Sequence, residues 1–426
     1  MIIINLILSL VSTVVIYGLT PIFGLFLLSF STPIIGWSFD FAGLNIPLSD
    51  LVGFLSVFAW LIIILYQLIF KPRERIKLNF PLIFPFACFL ITAFLSLLNH
   101  PDPGTGLYYI FRWLILLYTA FIFLPYNLIK KEKDLKLVIW GLAVSSFLVM
   151  FSGWLSLLGQ DWHNSFFRLK SIALSGTYPF GENHNLIAEF LSIGAFVWLS
   201  LKEWAKSPRS KRIYNSLFVL MLLAVIMTFS RAAWITIILQ LGIYLLWKQR
   251  RYLEKQGGLI ILAVFTLILL MTPIFWRMKI LQDSNTSSTE NRILLTEIAY
   301  KNWQDKPILG QGVGQFTNLV SDNLRFTAKY GDPLDSHGFL QKIMAEMGII
   351  GLISWIFLLV VLFKEAIIGI KRYGDRSPWL LPLWIAAGGS IFFQLFNTSY
   401  YKGKVWLIVS LALIATELAR KKYGEN

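Results

Sequence analysis

Residues 335–351 read DSHGFLQKIMAEMGIIG, and His337 is one of four histidines in a chain of 426 residues. It stands where a long polar stretch gives way to a membrane-length apolar one. A helix starting there, with Asp335 as N-cap and Gly338 to Phe363 running on into lipid, sets the imidazole beside free N–H groups and partial positive charge. That field attracts phosphate and lowers the imidazole pKa from about 6.5, leaving a neutral general base near neutral pH. The same spacing equally suits an interfacial histidine that is only hydrogen-bonded at a helix end. Glu346 follows on the opposite face of an ideal helix, so it is assigned to packing or a salt bridge. Ala345, Gly348 and Gly351 are assigned to close helix packing.

Several arginines lie toward the same side of the chain. Arginine grips diphosphate bidentately. Arg231 in TFSRAAW occupies a tight turn between two apolar runs, where an unpaired charge near hydrocarbon costs about 3 kcal/mol. Arg292 projects from the polar side of a predicted helix, and Arg168 precedes GTYPFGENHN. Snorkelling is the plain alternative for Arg231, and a solvated surface position for Arg292 and Arg168. Arg112 in YIFRWLI snorkels or braces the bundle. Asn183 and Asn185 flank His184 at the head of a span beginning at Leu186, as helix caps or sugar contacts. The stretch ILGQGVGQF has no preceding strand and no Gly-Lys-Ser/Thr, so it reads as a tight turn and not a nucleotide loop.

The elements that carry these residues follow from composition. The chain is 56% hydrophobic, 16% aromatic and 14% charged, with mean hydropathy +0.66, which excludes a soluble domain. Apolar runs long enough to cross a hydrocarbon core of about 30 Å recur throughout. They fall near 48–70, 80–99, 106–126, 135–158, 185–204, 213–230, 232–247, 258–275, 338–363, 378–397 and 403–419. Runs of this length are helices and not barrel strands. The expected fold is all-α and polytopic, with about twelve transmembrane helices. Residues 1–35 form either one crossing broken near Pro21 or two short ones, and are read as retained structure because a basic n-region and cleavage site are missing.

The net charge of +15 reflects basic clusters in loops at alternate ends of successive spans, the positive-inside pattern, and gives no case for nucleic acid. The single cysteine, Cys88, excludes an intramolecular disulfide and a thiolate metal site. With the basic clusters cytoplasmic, residues 36–50 lie outside, as do a loop at 160–185 and a longer one near 277–336. The predicted organisation is a transmembrane bundle at 1–276 carrying the smaller loop, the large loop at 277–336, and C-terminal spans of the same domain at 337–426. The large loop has helical patterning. STENRILLTEIAYKNW opens with a capping-box spacing, Ser287 to Glu290, and sets Leu294, Leu295, Ile298, Ala299 and Trp303 on one face. Phe316, Leu319, Val320 and Leu324 form a second short pattern that stops at Gly331 and Pro333. Two such helices would make a lid.

SRAAW, then ENRILLTEIAYKNWQDKPILGQGVGQF, then SHGFLQKIMAEMGIIG, preceded by RLKSIALSGTYPFGENHNLIAEFL, together resemble the O-antigen ligase and O-antigen polymerase superfamily of bacterial membrane glycosyltransferases. The resemblance is strongest from about 165 to 360 and rests on the order and spacing of the motifs. It implies a lipid-substrate glycosyltransferase fold of the GT-C type, with a large outer loop before a histidine-bearing helix and a donor glycan carried on undecaprenyl diphosphate. It assigns His337 as the catalytic histidine and Arg231, Arg292 and Arg168 to the diphosphate. It also implies work without cofactor or metal, and the loop offers no cation cage. One departure is Gly338, where the family commonly has Asn.

The function expected from these readings is transfer of a glycan from undecaprenyl diphosphate to a hydroxyl acceptor at the outer face of the bacterial inner membrane, in a single inverting displacement. The acceptor is lipid A core for a ligase, or a second lipid-linked glycan for a polymerase. His337 is the base, the arginines hold the leaving diphosphate, and Asn183, Asn185 and Asp335 are candidates for sugar or acceptor contacts. The rival from another class is a transporter or flippase of anionic solutes, which would place polar groups near mid-membrane in broken, repeated helices.

Overall fold

The computed structural model describes residues 2–41, 44–71, 77–160, 168–174, 176–248 and 287–424. The predicted span at 258–275 lies outside the described residues. The apolar runs become α1 (Ile2–Leu19), α2 (Pro21–Ser31), α3 (Leu48–Phe70), α4 (Ile83–Ser96), α5 (Pro103–Leu128), α6 (Glu132–Ser156), α7 (His184–Trp204), α8 (Pro208–Met227) and α9 (Arg231–Lys248). After the undescribed stretch come α10 (Ser287–Asp305), α11 (Phe316–Ser321), α12 (Leu324–Tyr330), α13 (Phe339–Tyr373), α14 (Leu380–Phe393) and α15 (Gly403–Tyr423). Six of these helices, α3, α5, α6, α7, α8 and α13, are long and apolar enough to cross a membrane. The protein is an all-α membrane protein. One small exception is a two-stranded antiparallel hairpin, Ser38–Phe41 with Leu44–Pro47, in the segment read from sequence only as an outer connection.

α7 is the central helix. Every residue from Ile187 to Leu201 is buried, and α6, α8 and α14 pack round it. α15 is buried nearly as completely and packs on α14 and α13. Two buried charges face each other across these helices: Glu189 of α7 pairs with Lys404 of α15 and also accepts from Gln394 Nε2 (2.8 Å) and Asn397 Nδ2 (3.0 Å). A carboxylate in such a place needs a partner of this kind, because isolated ionised groups are excluded from low-dielectric interiors.

The two ends of the bundle differ in kind. At one end the basic loop clusters meet acidic neighbours: Lys422 with Glu132 at 2.9 Å, Arg420 with Glu365 at 3.4 Å, and Lys248 with Glu203. At the other end lie His337, the turn before α9, and the helices α10, α11 and α12. Leu294, Leu295, Ile298 and Ala299 of α10, with Phe316, Val320 and Phe326, form a separate apolar cluster closed by Ala345 of α13. The predicted face of α10 is therefore the buried one. The second lid segment departs from its pattern: it is two helices broken at Asp322–Asn323, and Leu324 is 83% exposed while Phe326 is buried.

α13 is not a plain rod. Gly348 sits inside it at φ 64°, ψ −162°, a break in the helical ladder. The glycine-rich loop fills that break. The N–H groups of Gln311 and Gly312 donate to the carbonyls of Ala345 and Glu346, each at 2.9 Å, and the Ile349 N–H donates to Pro307 O at 2.9 Å. ILGQGVGQF is thus more than a tight turn: it supplies the backbone partners that the interrupted helix lacks. Gly348 is also not a helix-packing glycine. A Cβ there would meet Ile308 O at 2.2 Å, and one at Gly310 would meet the Glu346 backbone at 2.4 Å.

Candidate functional site

Three cationic side chains are brought together by local hydrogen bonding. The short run Arg168–Lys170 is stapled between the ends of two helices. Gln160 binds both the N–H and the C=O of Arg168 (3.1 and 2.6 Å), Ser156 Oγ accepts from Lys170 N (3.0 Å), and the buried Leu169 donates its N–H to Met227 O (2.9 Å). Met227 ends α8, and the next residues make the tight turn that the sequence implied. Phe229 takes φ 55°, uncommon for a bulky residue. Ser230 Oγ accepts the Ala233 N–H (3.4 Å) and donates to Asn185 Oδ1 (2.7 Å). Arg231 follows as the exposed first residue of α9. Arg292 comes from the first turns of α10, held over the bundle by Gln341 Nε2 donating to Thr296 Oγ1 (2.8 Å).

These charges act on each other. Burial holds the Arg168 guanidinium below its ordinary pKa; burial and then the neighbouring Arg231 do the same to Arg292. The Nε atoms of both Arg168 and Arg292 are buried without a hydrogen-bond partner. Arg168, Arg292 and Lys170 also lie within electrostatic reach of the His184 imidazole. Arginine stays protonated in proteins, so like-charged guanidiniums with unfilled donors make a site that is stabilised by an anion.

His337 joins this cluster from the other side. It is partly buried in the bend just before α13. Burial, and after it the Arg292 charge, lowers its pKa below the usual histidine value, against a smaller upward pull from Asp335. α13 begins at Phe339 with Gly338 as N-cap, so His337 directly precedes the helix terminus.

Asp335 is a correction. It caps nothing: its carboxylate receives Lys342 Nζ at 2.8 and 2.9 Å and Tyr401 OH at 3.0 Å, while Oδ1 also accepts the Ser336 N–H (2.8 Å). Its oxygens are engaged by protein donors. Asn183 and Asn185 have structural engagements too. Asn183 is the N-cap of α7, accepting Asn185 N–H at 2.9 Å, and Asn185 anchors the Ser230 turn. Of the predicted residues, then, His337, Arg231, Arg292 and Arg168 converge, whereas Asn183, Asn185 and Asp335 hold the frame. Arg112 braces, lying over the Trp113 ring at 4.3 Å and 3.8 Å from Asp50. Gly338 is extended, and a Cβ there would meet Leu395 O at 2.8 Å, so close approach of the α14 end explains why no Asn stands at this position.

Lys342 and Glu346 went unrecognised as partners in the sequence, although their spacing was visible. Lys342 is 3% exposed and lies 3.9 Å from Glu346 Oε1 as well as against Asp335, between the rings of Tyr109 and Tyr401. Glu346 Oε1 accepts the Phe316 N–H at 2.9 Å, which ties α11 of the lid to α13. Lys170 and His184 were also missed as neighbours of the arginines. Only the hydrogen bonding of Leu169 and Asn185 brings them there.

The chain shows three similarities to known proteins. Residues 216–356, from within α8 to the middle of α13, match the family described as O-Antigen ligase. A curated relative, the ComP-specific O-oligosaccharyltransferase of Acinetobacter baylyi (strain ATCC 33305 / BD413 / ADP1), is 27% identical over 200 residues, 45% of this chain and 36% of the relative. The matched part thus spans little more than a third of that relative's length. A solved chain from "Structural coordination of polymerization and crosslinking by a peptidoglycan synthase complex" superposes with TM-score 0.44 and 13% identity, over 82% of this chain and 100% of that one. The matched region holds Arg231, Arg292, the glycine-rich loop and His337, so over residues 216–356 the chain is similar to the O-Antigen ligase family.

Proposed function

We propose that the protein transfers a glycan from undecaprenyl diphosphate to a hydroxyl acceptor at the outer face of the bacterial inner membrane, attaching O-antigen to lipid A core in the manner of an O-antigen ligase. The observation that carries this reading is the cluster of Arg168, Arg231 and Arg292, the first and last each with an unfilled buried Nε, beside a histidine whose pKa is lowered by burial and by Arg292. The arginines hold the diphosphate and take up its charge as it leaves, the larger need for a leaving group of this kind. His337 accepts the acceptor hydroxyl proton as the acceptor oxygen bonds to the anomeric carbon and the carbon–phosphate oxygen bond breaks on the opposite face. The reading needs neither covalent enzyme nucleophile nor metal. It includes about twelve spans of GT-C-like type, formed by 1–276 and 337–426 as one domain, with 277–336 as a periplasmic lid.

The test is purified protein given polyprenyl-diphosphate glycan and candidate acceptors, with His337→Ala and Arg231→Ala alongside. Wild type transfers glycan, and His337→Ala loses about 10²- to 10⁴-fold. Solute or lipid crossing membranes with no glycan transferred to any acceptor refutes the enzyme. Normal transfer by His337→Ala refutes the base.

A further inference from the structure

An open groove of about 460 Å³ runs along α10, lined by Arg292, Ile293, Thr296, Glu297 and Tyr300. These residues recur at helical spacing along one stripe about 12 Å long. One end of the stripe is Arg292, a member of the cationic cluster. Ile293 and Tyr300, 55% and 53% exposed, supply its apolar wall.

The direction of the groove follows from two contacts between α10 and α13. Thr296 is tied to Gln341 in the first turn of α13, whereas Pro307 and Ile308 just beyond α10 bond to Ile349 and Ile350. The two helices therefore descend together. The groove starts at the polar beginning of α13 and heads for Ile349, where a run to Phe363 without a charged residue begins. Below Tyr300 the exposed side chains are Ile308 (60%), Ile350 (37%) and Ile353 (60%). Tyr300 packs against Trp303 at 5.7 Å, an aromatic pair of the kind that marks a membrane–water interface.

A groove with a guanidinium at its water end and an apolar track into the span fits one chemical class, an apolar chain with an anionic head. Resting on the proposed function, we propose that it seats the first isoprene units of the polyprenyl diphosphate donor, with Arg292 at the junction of chain and diphosphate. The glycan then leaves the cluster away from α10. Glu297 also lines the groove, and its charge is balanced by Arg325 at 3.4 Å.

The test compares three ligands on the purified full chain in nanodiscs: undecaprenyl diphosphate, inorganic diphosphate and phosphatidylglycerol. Ile293→Gln and Tyr300→Gln alter exposed side chains and leave the fold intact, which circular dichroism checks. Each weakens undecaprenyl diphosphate about tenfold, roughly 1.4 kcal/mol, with inorganic diphosphate unchanged. An unchanged polyprenyl affinity, or equal weakening of both diphosphates, overturns the inference. So does displacement of undecaprenyl diphosphate by an equal concentration of phosphatidylglycerol, since the site would then be one for anionic lipid in general. Chain-dependent binding without glycan transfer leaves the groove standing and removes the proposed function. Transfer that ignores both substitutions does the reverse.

Discussion

Replacing Asp335 with Asn keeps the side-chain shape and removes one charge, so it tests what Asp335 does for Lys342 and His337. Lys342 is 3% exposed, and both Asp335 oxygens lie within 2.9 Å of its Nζ. Breaking a fully buried pair costs about 3–5 kcal/mol, because the remaining charge is stranded. Here two features reduce that figure: Asp335 is 32% exposed, and Glu346 remains 3.9 Å from the ammonium. Asp335→Asn is therefore expected to cost about 2 kcal/mol of stability. Lys342→Met leaves Asp335 bonded to Tyr401 and Ser336 but strands the buried Glu346 beside it, and costs about 3 kcal/mol. The double variant removes both charges, and its loss falls short of the summed single losses by at least about 1 kcal/mol. Denaturation of all four proteins in matched detergent gives the cycle. Additive losses refute the pair as the element holding the segment before α13.

The pH dependence of transfer follows from His337. Its pKa lies below the usual histidine value and its neutral form is the base, so the rate rises with pH through a point below about 6.5 and is level above it. Asp335 pulls that pKa up and Arg292 pushes it down, so Asp335→Asn moves the acid limb to lower pH and Arg292→Gln moves it to higher pH. Shifts of the opposite sign in pH–rate profiles remove the electrostatic assignment. Arg292→Lys keeps the charge and loses the planar fork, so donor binding weakens about 10- to 100-fold in a titration with polyprenyl diphosphate. Gly348→Ala places a Cβ 2.2 Å from Ile308 O at positive φ and should free the lid from α13, read as faster proteolysis or amide exchange across residues 287–330.

The apolar helices and the buried face of α10 were legible because each rests on a local period: apolar length for the bundle, helical spacing for α10. The positions of single polar groups were harder to read. Asp335 looked like a cap because it precedes a helix by the right kind of distance. The fold assigns capping to Gly338 and turns Asp335 toward Lys342, a choice set by Tyr401 arriving from a loop 66 residues on. Gly348 looked like helix packing because small residues usually serve that purpose in membranes. Its break depends on Pro307, Ile308 and the glycine-rich loop, contacts made across some forty residues. The hairpin at 38–47 had no signal at all against the stronger membrane pattern.

The placement of the buried cations says most about the site. Lys404 meets Glu189, Lys342 meets Asp335 and Glu346, and Arg112 lies near Asp50. Each is a cation in or beside the bundle with a carboxylate at hand, as the cost of desolvation requires. Arg168 and Arg292 break that pattern: both keep a buried Nε with no partner, and they sit with Arg231 at one end of the molecule. If these arginines served only to brace the fold, the fold would supply carboxylates to them as it does to the lysines. Among the described residues no carboxylate pairs with Arg168 or Arg292, which is what a binding site for a doubly charged anion requires, because an internal carboxylate would compete with the ligand. The same logic explains the neutral histidine. A protonated imidazole beside Arg292 would add to an uncompensated positive charge, so the groups that attract the diphosphate also keep His337 ready to accept a proton.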